Sequence, residues 1–500
     1  MRWDYFGVTG EKDGQFYTVN YANGGNNVPT SQLYGKDLNN FAPRVAAAYD
    51  VTGQGKTVVR AGWGLFYDAF SQDMFLGHLP WNCIFCPGPA YPGLGPNALG
   101  EGTATESVIT PGVPVYSGFA PEGDFFSTDP HMRTPYIQNF NLNLQQQLGS
   151  KTVLQVGYVG SIGIKLFQFL DINQPSQAQI TASDLACVPD PPLSYCPTTV
   201  PRTVAPNFLF LNQEKSSANS NYHSLQASLR TSGWHGLTSQ ANFVWSHSID
   251  TASDLEDFEP NEAQPTNSTN PAGDRGNSSF DIRKRFTWNF TYQFPKMTGS
   301  MQRLKNGWGL DGILNLQDGQ PWHLNYEFEG DYSGSGEGFD RPDKIATPQY
   351  SPGNPSQYLN LSAFAAPCTW GNTHNDDTTD QTNCVPGTRH FGSEGRNSLL
   401  GPTFKEFNFS VFKDTSLAEH VTMSLRAEFF NLLNHPNFCN PFLPNFISDI
   451  GAPNPATGGY VTNGVPAYYQ LTATGDVGIG NPFLGGGGPR GVQFAAIFKF

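Results

Sequence analysis

Gly491-Val492-Gln493-Phe494-Ala495-Ala496-Ile497-Phe498-Lys499-Phe500, the last ten residues, decide how the chain is read. From Val492 onward they alternate. Val492, Phe494, Ala496, Phe498 and Phe500 fall on one face, and Gln493, Ala495, Ile497 and Lys499 on the other. Side chains on a strand repeat every second residue. A strand with one apolar face and an aromatic terminus is how bacterial outer-membrane barrels close, so Phe498 and Phe500 are candidate barrel-terminal residues. One such strand also suits a soluble sandwich, so the pattern has to recur.

It does recur. Phe286, Trp288, Phe290 and Tyr292 oppose Arg285, Thr287, Asn289 and Thr291. Leu237, Ala241, Phe243 and Trp245 oppose Thr238, Gln240 and Asn242. Val421, Met423, Leu425, Ala427 and Phe429 oppose Thr422, Ser424, Arg426 and Glu428. Tyr136, Phe140, Leu142, Leu144 and Leu148 oppose Ile137, Asn139, Asn141, Asn143, Gln145 and Gln147. Helical periodicity is nearly absent. The polar faces are rich in amides and hydroxyls, which suits a hydrated interior. A sandwich would turn its apolar face inward and carry charge outside.

About thirteen strands follow from this pattern, at 1–10, 14–22, 41–50, 57–67, 135–148, 151–163, 221–231, 236–247, 281–294, 307–319, 403–413, 420–431 and 489–500. Links such as 11–13, 52–56, 149–150, 232–235, 295–306 and 414–419 are short. Those at 23–40, 68–134, 164–220, 248–280, 320–402 and 432–488 are long, and the two kinds alternate throughout. Short periplasmic turns and long external loops give an outer-membrane barrel this sidedness. The expected fold is therefore all-β: an antiparallel transmembrane barrel, or part of one, with long extracellular loops. The loops, rich in Gly, Pro, Asn, Ser and Asp, hold little core-forming material and are expected to be mobile or packed on themselves.

Composition agrees. Lys, Arg, Asp and Glu make up 14% of the chain, against about 25% in soluble proteins. Aromatics reach 13%, yet mean hydropathy is −0.39 and no run of about 20 apolar residues exists, which excludes a helical span. A net charge of −14 argues against nucleic acid as a partner. The opening Met1-Arg2-Trp3-Asp4-Tyr5 reads as strand rather than signal peptide, so a piece of a longer exported protein is expected.

Several segments resemble one family. They include Asn40-Phe41-Ala42-Pro43-Arg44, Arg60-Ala61-Gly62-Trp63-Gly64-Leu65-Phe66-Tyr67-Asp68 and Thr134-Pro135-Tyr136-Ile137-Gln138-Asn139-Phe140. Others are Val156-Gly157-Tyr158-Val159-Gly160-Ser161, Trp245-Ser246-His247-Ser248-Ile249-Asp250 and Arg426-Ala427-Glu428-Phe429-Phe430-Asn431-Leu432-Leu433-Asn434-His435-Pro436. From about residue 40 to 500 the chain resembles the barrel of Oar-like TonB-dependent outer-membrane receptors of acidobacterial type. That resemblance implies a signal peptide, a carboxypeptidase-regulatory-like domain, a plug with a TonB box and a 22-stranded barrel. The first three have no visible counterpart in 1–500, so the chain would be a partial barrel and a fragment of the receptor. The resemblance implies uptake of a large nutrient (oligosaccharide, peptide or chelate), no enzymatic activity and no cofactor. Implied partners are outer-membrane lipid, the barrel assembly machinery, an unknown nutrient ligand, and TonB only through the plug. The competing expectation is a surface or secreted β-rich adhesion protein.

Residues with chemical potential are few. Seven cysteines lie in the expected loops. Cys83 with Cys86, Cys187 with Cys196, and Cys368 with Cys384 are candidate disulfides, leaving Cys439 over. A second Cys-x-x-Cys for zinc is lacking, and no metal site is expected. Asp250, Asp254, Glu256, Asp257 and Glu259 form one acidic cluster, read as a solvated loop. Asp331, Glu337 and Asp340 form another, read the same way, although Asp331-Tyr332-Ser333-Gly334-Ser335-Gly336 has the oxygen spacing to wrap an ion. No Gly-x-Ser-x-Gly, phosphate loop or His-Glu-x-x-His is present, so no catalytic residue is expected. The scattered histidines are expected to be structural. Trp63, Tyr67, Trp245, Trp288, Trp308 and Trp322 are candidates for interfacial girdles.

Facing can be tested directly. Phe286→Asp or Phe243→Asp is expected to block membrane assembly, whereas Asn143→Asp is expected to leave it intact. Heat-modifiable gel mobility of the outer-membrane fraction reads the difference, and equal tolerance at all three sites contradicts the assignment.

Overall fold

The computed structural model describes residues 2–10, 16–20, 26–69, 106–110, 113–116, 124–186, 200, 202–205, 210–253, 264–326, 331–335, 340–371, 384–438, 450–451, 453–454, 456–471, 480–481 and 486–500. One large antiparallel sheet dominates them. Eleven strands form its path: β1 (Arg44–Asp50), β2 (Thr57–Tyr67), β3 (Tyr136–Leu148), β4 (Thr152–Asp171), β5 (Phe210–Trp234) and β6 (Leu237–Asp250). They continue as β7 (Lys284–Gln293), β8 (Trp308–Gln317), β9 (Phe404–Ala418), β10 (Val421–Phe430) and β11 (Gly491–Lys499). Each pairs with its neighbours in sequence, from β1 at one edge to β11 at the other. Two short strands bring the sheet to thirteen: Asp124–Thr128 runs parallel to β5, and Gly276–Asn277 pairs with β6. Among the described residues the two edges do not pair with each other, so the sheet is open.

Register sorts the side chains into rows. Residues directly opposite across an antiparallel pair share a face. Val59, Leu144, Val156, Ala227, Phe243, Phe286 and Leu316 form one unbroken row over seven strands. The next row, on the other face, reads Gln145, Gln155, Ser228, Asn242, Thr287, Asn315 and Glu406. Ser228 Oγ donates to Asn242 Oδ1 at 2.9 Å, and Asn242 donates on to Thr287 at 3.3 Å. Close approach is part of the register: a Cβ on Gly157 would lie 2.0 Å from the Asn143 amide oxygen.

No second sheet covers the apolar face among the described residues. Val45, Leu142, Leu144, Trp245 and Phe494 are 65%, 53%, 45%, 56% and 79% exposed. An apolar face of this width is not left to water by a soluble protein. It fits a strand array whose second solvent is hydrocarbon.

The buried core lies elsewhere. Trp322, Leu324, Tyr332, Leu359, Leu361, Phe364, Leu399, Ile450 and Tyr460 pack together. All come from the two long links that follow β8 and β10. The loops at this end thus build a cap with its own hydrophobic centre. The expectation that they hold little core-forming material is corrected here, while that of self-packing holds. Trp322, expected in an interfacial girdle, is fully buried in this core. It sits in Pro321–Trp322, which pairs with Leu399–Leu400, past the end of β8.

Two further expectations change. Strands at 1–10 and 14–22 do not join the large sheet. Gly7 adopts a φ of 81°, which ends the extended run, and Arg2–Trp3 pairs only with Phe41–Ala42. Phe16–Asn20 finds its nearest partner in Asn26–Thr30. Conversely β4 and β5 are longer than the expected 151–163 and 221–231. A membrane needs about 9–11 residues per strand. Their outer part, up to Asp171 and down to Phe210, projects beyond it after a register shift near Lys165, whose φ is 58°. Phe169 and Leu211 are buried there. Along the path from β1 to β11 the expected alternation of short and long links holds.

The cap core draws none of its buried residues from β1 to β11. Leu324→Ala is expected to cost about 2–5 kcal/mol of cap stability, the usual range for a buried Leu truncation. Protease cleavage or hydrogen exchange within 321–400 should rise while heat-modifiable mobility persists. Loss of both together contradicts an independent cap core.

Candidate functional site

Four long links meet at the cap, and buried arginines join them. Arg396, in the link after β8, pairs with Asp250, the last residue of β6; both side chains are 2% exposed. Its guanidinium also donates to the carbonyls of Asp250 and Asp274, each at 2.7 Å. Arg341 pairs with Asp274, and Arg389 with Asp184. Arg202 reaches Asp171, the last residue of β4, at 3.2 Å. Asn277 and Asn397 exchange side-chain to backbone bonds at 2.7 and 2.9 Å. The link after β8 therefore supplies three arginines to carboxylates on two other links and at the end of β6. Pairs this deep add little net stability, but loss of one partner strands a buried charge.

Local sequence explains how Asp184 is placed. It lies on the buried face of α1 (Gln177–Ala186). Ser176 and Gln179 cap that helix reciprocally: the Ser176 N–H donates to Gln179 Oε1 at 2.9 Å, and the Gln179 N–H donates to Ser176 Oγ at 3.4 Å. This is a capping box, written in the sequence as Ser176-x-x-Gln179.

Burial shifts several titrating groups in the cap. It pushes the Glu394 carboxyl up to about 8, against smaller pulls from Arg341 and the Leu324 N–H. It pushes Glu214, on the projecting hairpin, up to about 8 as well, where Thr128 Oγ1 donates at 2.9 Å. Burial and Arg341 lower His323 to about 3, so it is neutral beside Asn397. For Asp274 burial acts upward, but Arg341 and Arg396 outweigh it and hold the group below its usual range.

Below the cap lies the polar face of the sheet. Its strongest feature is a cluster in which Arg426 donates to Asp311 at 2.6 Å and to Glu428 at 3.0 Å. Thr291 Oγ1 donates to Asp311 at 2.7 Å. Around it stand the amide and hydroxyl rows described above. Such a wall offers donors and acceptors to a polar solute without a nucleophile–base pair. Among the described residues no group of three His, Cys, Asp or Glu side chains is gathered to hold a metal.

The residues singled out from sequence fall in different places. Cys368 and Cys384 form a disulfide with Cα atoms 5.6 Å apart, at the rim of the cap core. Cys83, Cys86, Cys187, Cys196 and Cys439 lie outside the described residues, as do Asp254, Glu256, Asp257, Glu259 and Glu337. Asp250, Asp331 and Asp340 are buried, 1% to 9% exposed, which corrects their reading as solvated loop residues. Phe498 stands opposite Met423 at the edge strand, and Phe500 follows the last residue of β11. His323, His390 and His247 each hold a protein partner. Sequence reasoning passed over the four cap arginines, whose ion-pair partners are up to 205 residues away.

Two outcomes follow. Arg396→Ala strands Asp250 and is expected to cost about 3–5 kcal/mol of cap stability, read as faster proteolysis of the cap. The second concerns pH. Folded Glu394 keeps its proton up to about 8, whereas an unfolded Glu releases it near 4.5. Its contribution is therefore fully present below 4.5 and declines as pH rises toward 8. Glu394→Gln is expected to flatten that decline, and an unchanged pH profile of cap melting contradicts the assignment.

Comparison with known proteins fits this geometry. The profile of the family described as outer membrane beta barrel domain matches residues 1–467. No curated protein matches the chain significantly. Solved structures resemble it at low identity. The outer membrane transporter YddB from Escherichia coli aligns at 11% identity and a TM-score of 0.44, over 95% of this chain and 42% of that one. The ferripyoverdine receptor of Pseudomonas aeruginosa aligns at 8% and 0.38, over 95% and 35%. The siderophore receptor PiuA from Acinetobacter baumannii aligns at 7% and 0.37, over 95% and 36%. The chain thus spans about two fifths or less of the length of these proteins. With a continuous antiparallel sheet sorted into one apolar and one amide-rich face, and a family match over nearly its whole length, this chain belongs to the outer membrane beta barrel domain family and its place is the bacterial outer membrane.

Proposed function

We propose that this chain is barrel material of an Oar-like TonB-dependent receptor that takes up a large polar nutrient, such as an oligosaccharide, a peptide or a chelate. One observation carries the reading: an amide- and hydroxyl-lined inner face runs beneath a cap that has its own core and buried ion pairs. A large solute needs a rigid external surface to select it and a hydrated wall to pass along. The segment Arg426 to Pro436 and the others quoted above support the subtype.

The two edges of the sheet bear on how the chain works. β1 and β11 each present an outer row of backbone groups, which lipid cannot satisfy. In this reading further strands of the same receptor close the barrel, and a plug domain carries the TonB contact. The assembly machinery would engage β11 and Phe500, and the apolar rows would meet acyl chains.

The test is uptake in the native host. Deleting the gene is expected to abolish accumulation of one labelled solute among oligosaccharides, peptides and ferric chelates. In the parent strain that accumulation should stop on addition of a protonophore. Undiminished uptake of all three classes, or uptake indifferent to the protonophore, overturns the proposal.

A further inference from the structure

We propose that Asp331, Ser333, Ser335 and Asp340 form a calcium site within the cap. Three observations lead there. The first is spacing: Asp331-Tyr332-Ser333-Gly334-Ser335-Gly336 puts oxygen-bearing side chains at positions one, three and five of a turn, with glycine at six. Oxygen ligands at alternate loop positions, followed by a glycine that permits the bend, are how a short loop wraps calcium. The described part of the loop turns sharply at its fourth residue. Gly334 adopts a φ of 77°, and Ser333 Oγ donates to Ser335 Oγ at 2.9 Å and to Asp331 Oδ1 at 3.4 Å.

The second observation is Asp340, which lies outside that turn and reaches into it. Its Oδ2 accepts the Ser333 N–H. Its Oδ1 is buried with no hydrogen-bond partner, on a residue 1% exposed. A buried carboxylate oxygen without a donor is costly, and a cation satisfies it.

The third is charge. Arg202 donates to the Ser335 carbonyl at 2.8 Å. Arg389 stands so near that a Cβ on Gly334 would lie 2.8 Å from its guanidinium carbon. Arg341 follows Asp340 in the chain. These three guanidiniums are paired with Asp171, Asp184 and Asp274. Asp331 and Asp340 add two further buried carboxylates beside the same loop. Burial and Asp331 both drive the Asp340 carboxyl well upward. A carboxylate this deep with one oxygen unsatisfied is relieved by a proton or by a cation. Two carboxylates with serine hydroxyls in an adaptable loop suit calcium better than magnesium, which demands near-ideal octahedral geometry and gives up water reluctantly. A bound ion would tie the turn at 331–335 to Asp340 and stiffen the cap independently of any transport activity.

The experiment is calorimetric titration of CaCl2, with MgCl2 as the control, into the full chain folded in detergent at pH 7.5. One calcium site with a Kd of about 10⁻⁴ to 10⁻³ M is expected, the range of extracellular calcium modules. Asp340→Asn and Asp331→Asn should each weaken it by about tenfold or more. Both variants should leave the cap folded without calcium, because each removes buried like charge. Should either fail to fold, Ser333→Ala is the second variant and should also weaken binding. In parallel, calcium should raise the melting temperature of the wild-type cap but not that of Asp340→Asn. No saturable calcium binding, affinity unchanged in the variants, or cap melting that follows pH but ignores calcium would each overturn the site.

Discussion

The structure depends on one constraint: inside a bilayer no water is present to complete a backbone hydrogen bond. Every strand in the path from β1 to β11 therefore satisfies its neighbours along an unbroken antiparallel ladder. Side chains are then free to sort by solvent alone. Val59 through Leu316 line up on one face, and Gln145 through Glu406 on the other. A soluble protein hides its apolar row; here Phe494 and Leu142 stand open.

The cap obeys the opposite rule. It sits in water, so it gathers its aromatics inward, around Trp322 and Phe364, and spends charge on holding separate links together. Hydrophobic burial supplies its stability and the arginine–aspartate pairs supply its geometry, since Arg341 and Arg389 each find a carboxylate on another link. Sheet and cap meet where Asp171 and Asp250, the last residues of β4 and β6, accept from Arg202 and Arg396. The rigid ladder thus fixes two anchor points, and the cap is built on them.

The sheet was legible in the sequence because its signal is local. Alternation at 237–245 and 286–292, together with the short turns, determines both facing and pairing of adjacent strands. The cap was not legible, because pairs such as Arg341–Asp274 and Arg389–Asp184 join residues 67 and 205 positions apart, which no periodicity records. Trp322 looked like Trp245 by its place near a strand end; only the pairing of Pro321–Trp322 with Leu399–Leu400 moves it inside. The strands expected at 1–10 and 14–22 show the converse. Their alternation is real but short, and Gly7 and a local partner at Asn26–Thr30 take them out of the sheet. The disulfide Cys368–Cys384 was readable from spacing, while Ser176-x-x-Gln179 was an available helix signal that the prevailing strand pattern masked.

The claim on which the rest stands is that the face carrying Ala241, Phe243 and Trp245 touches acyl chains. Spin labels placed singly at positions 240 to 245 of the chain assembled in lipid test it most directly. Positions 241, 243 and 245 should collide readily with oxygen, which concentrates in the bilayer, and 240, 242 and 244 with a water-soluble nickel reagent. A period of two in that order is the expected result. The reverse order, or no alternation at all, would contradict the account.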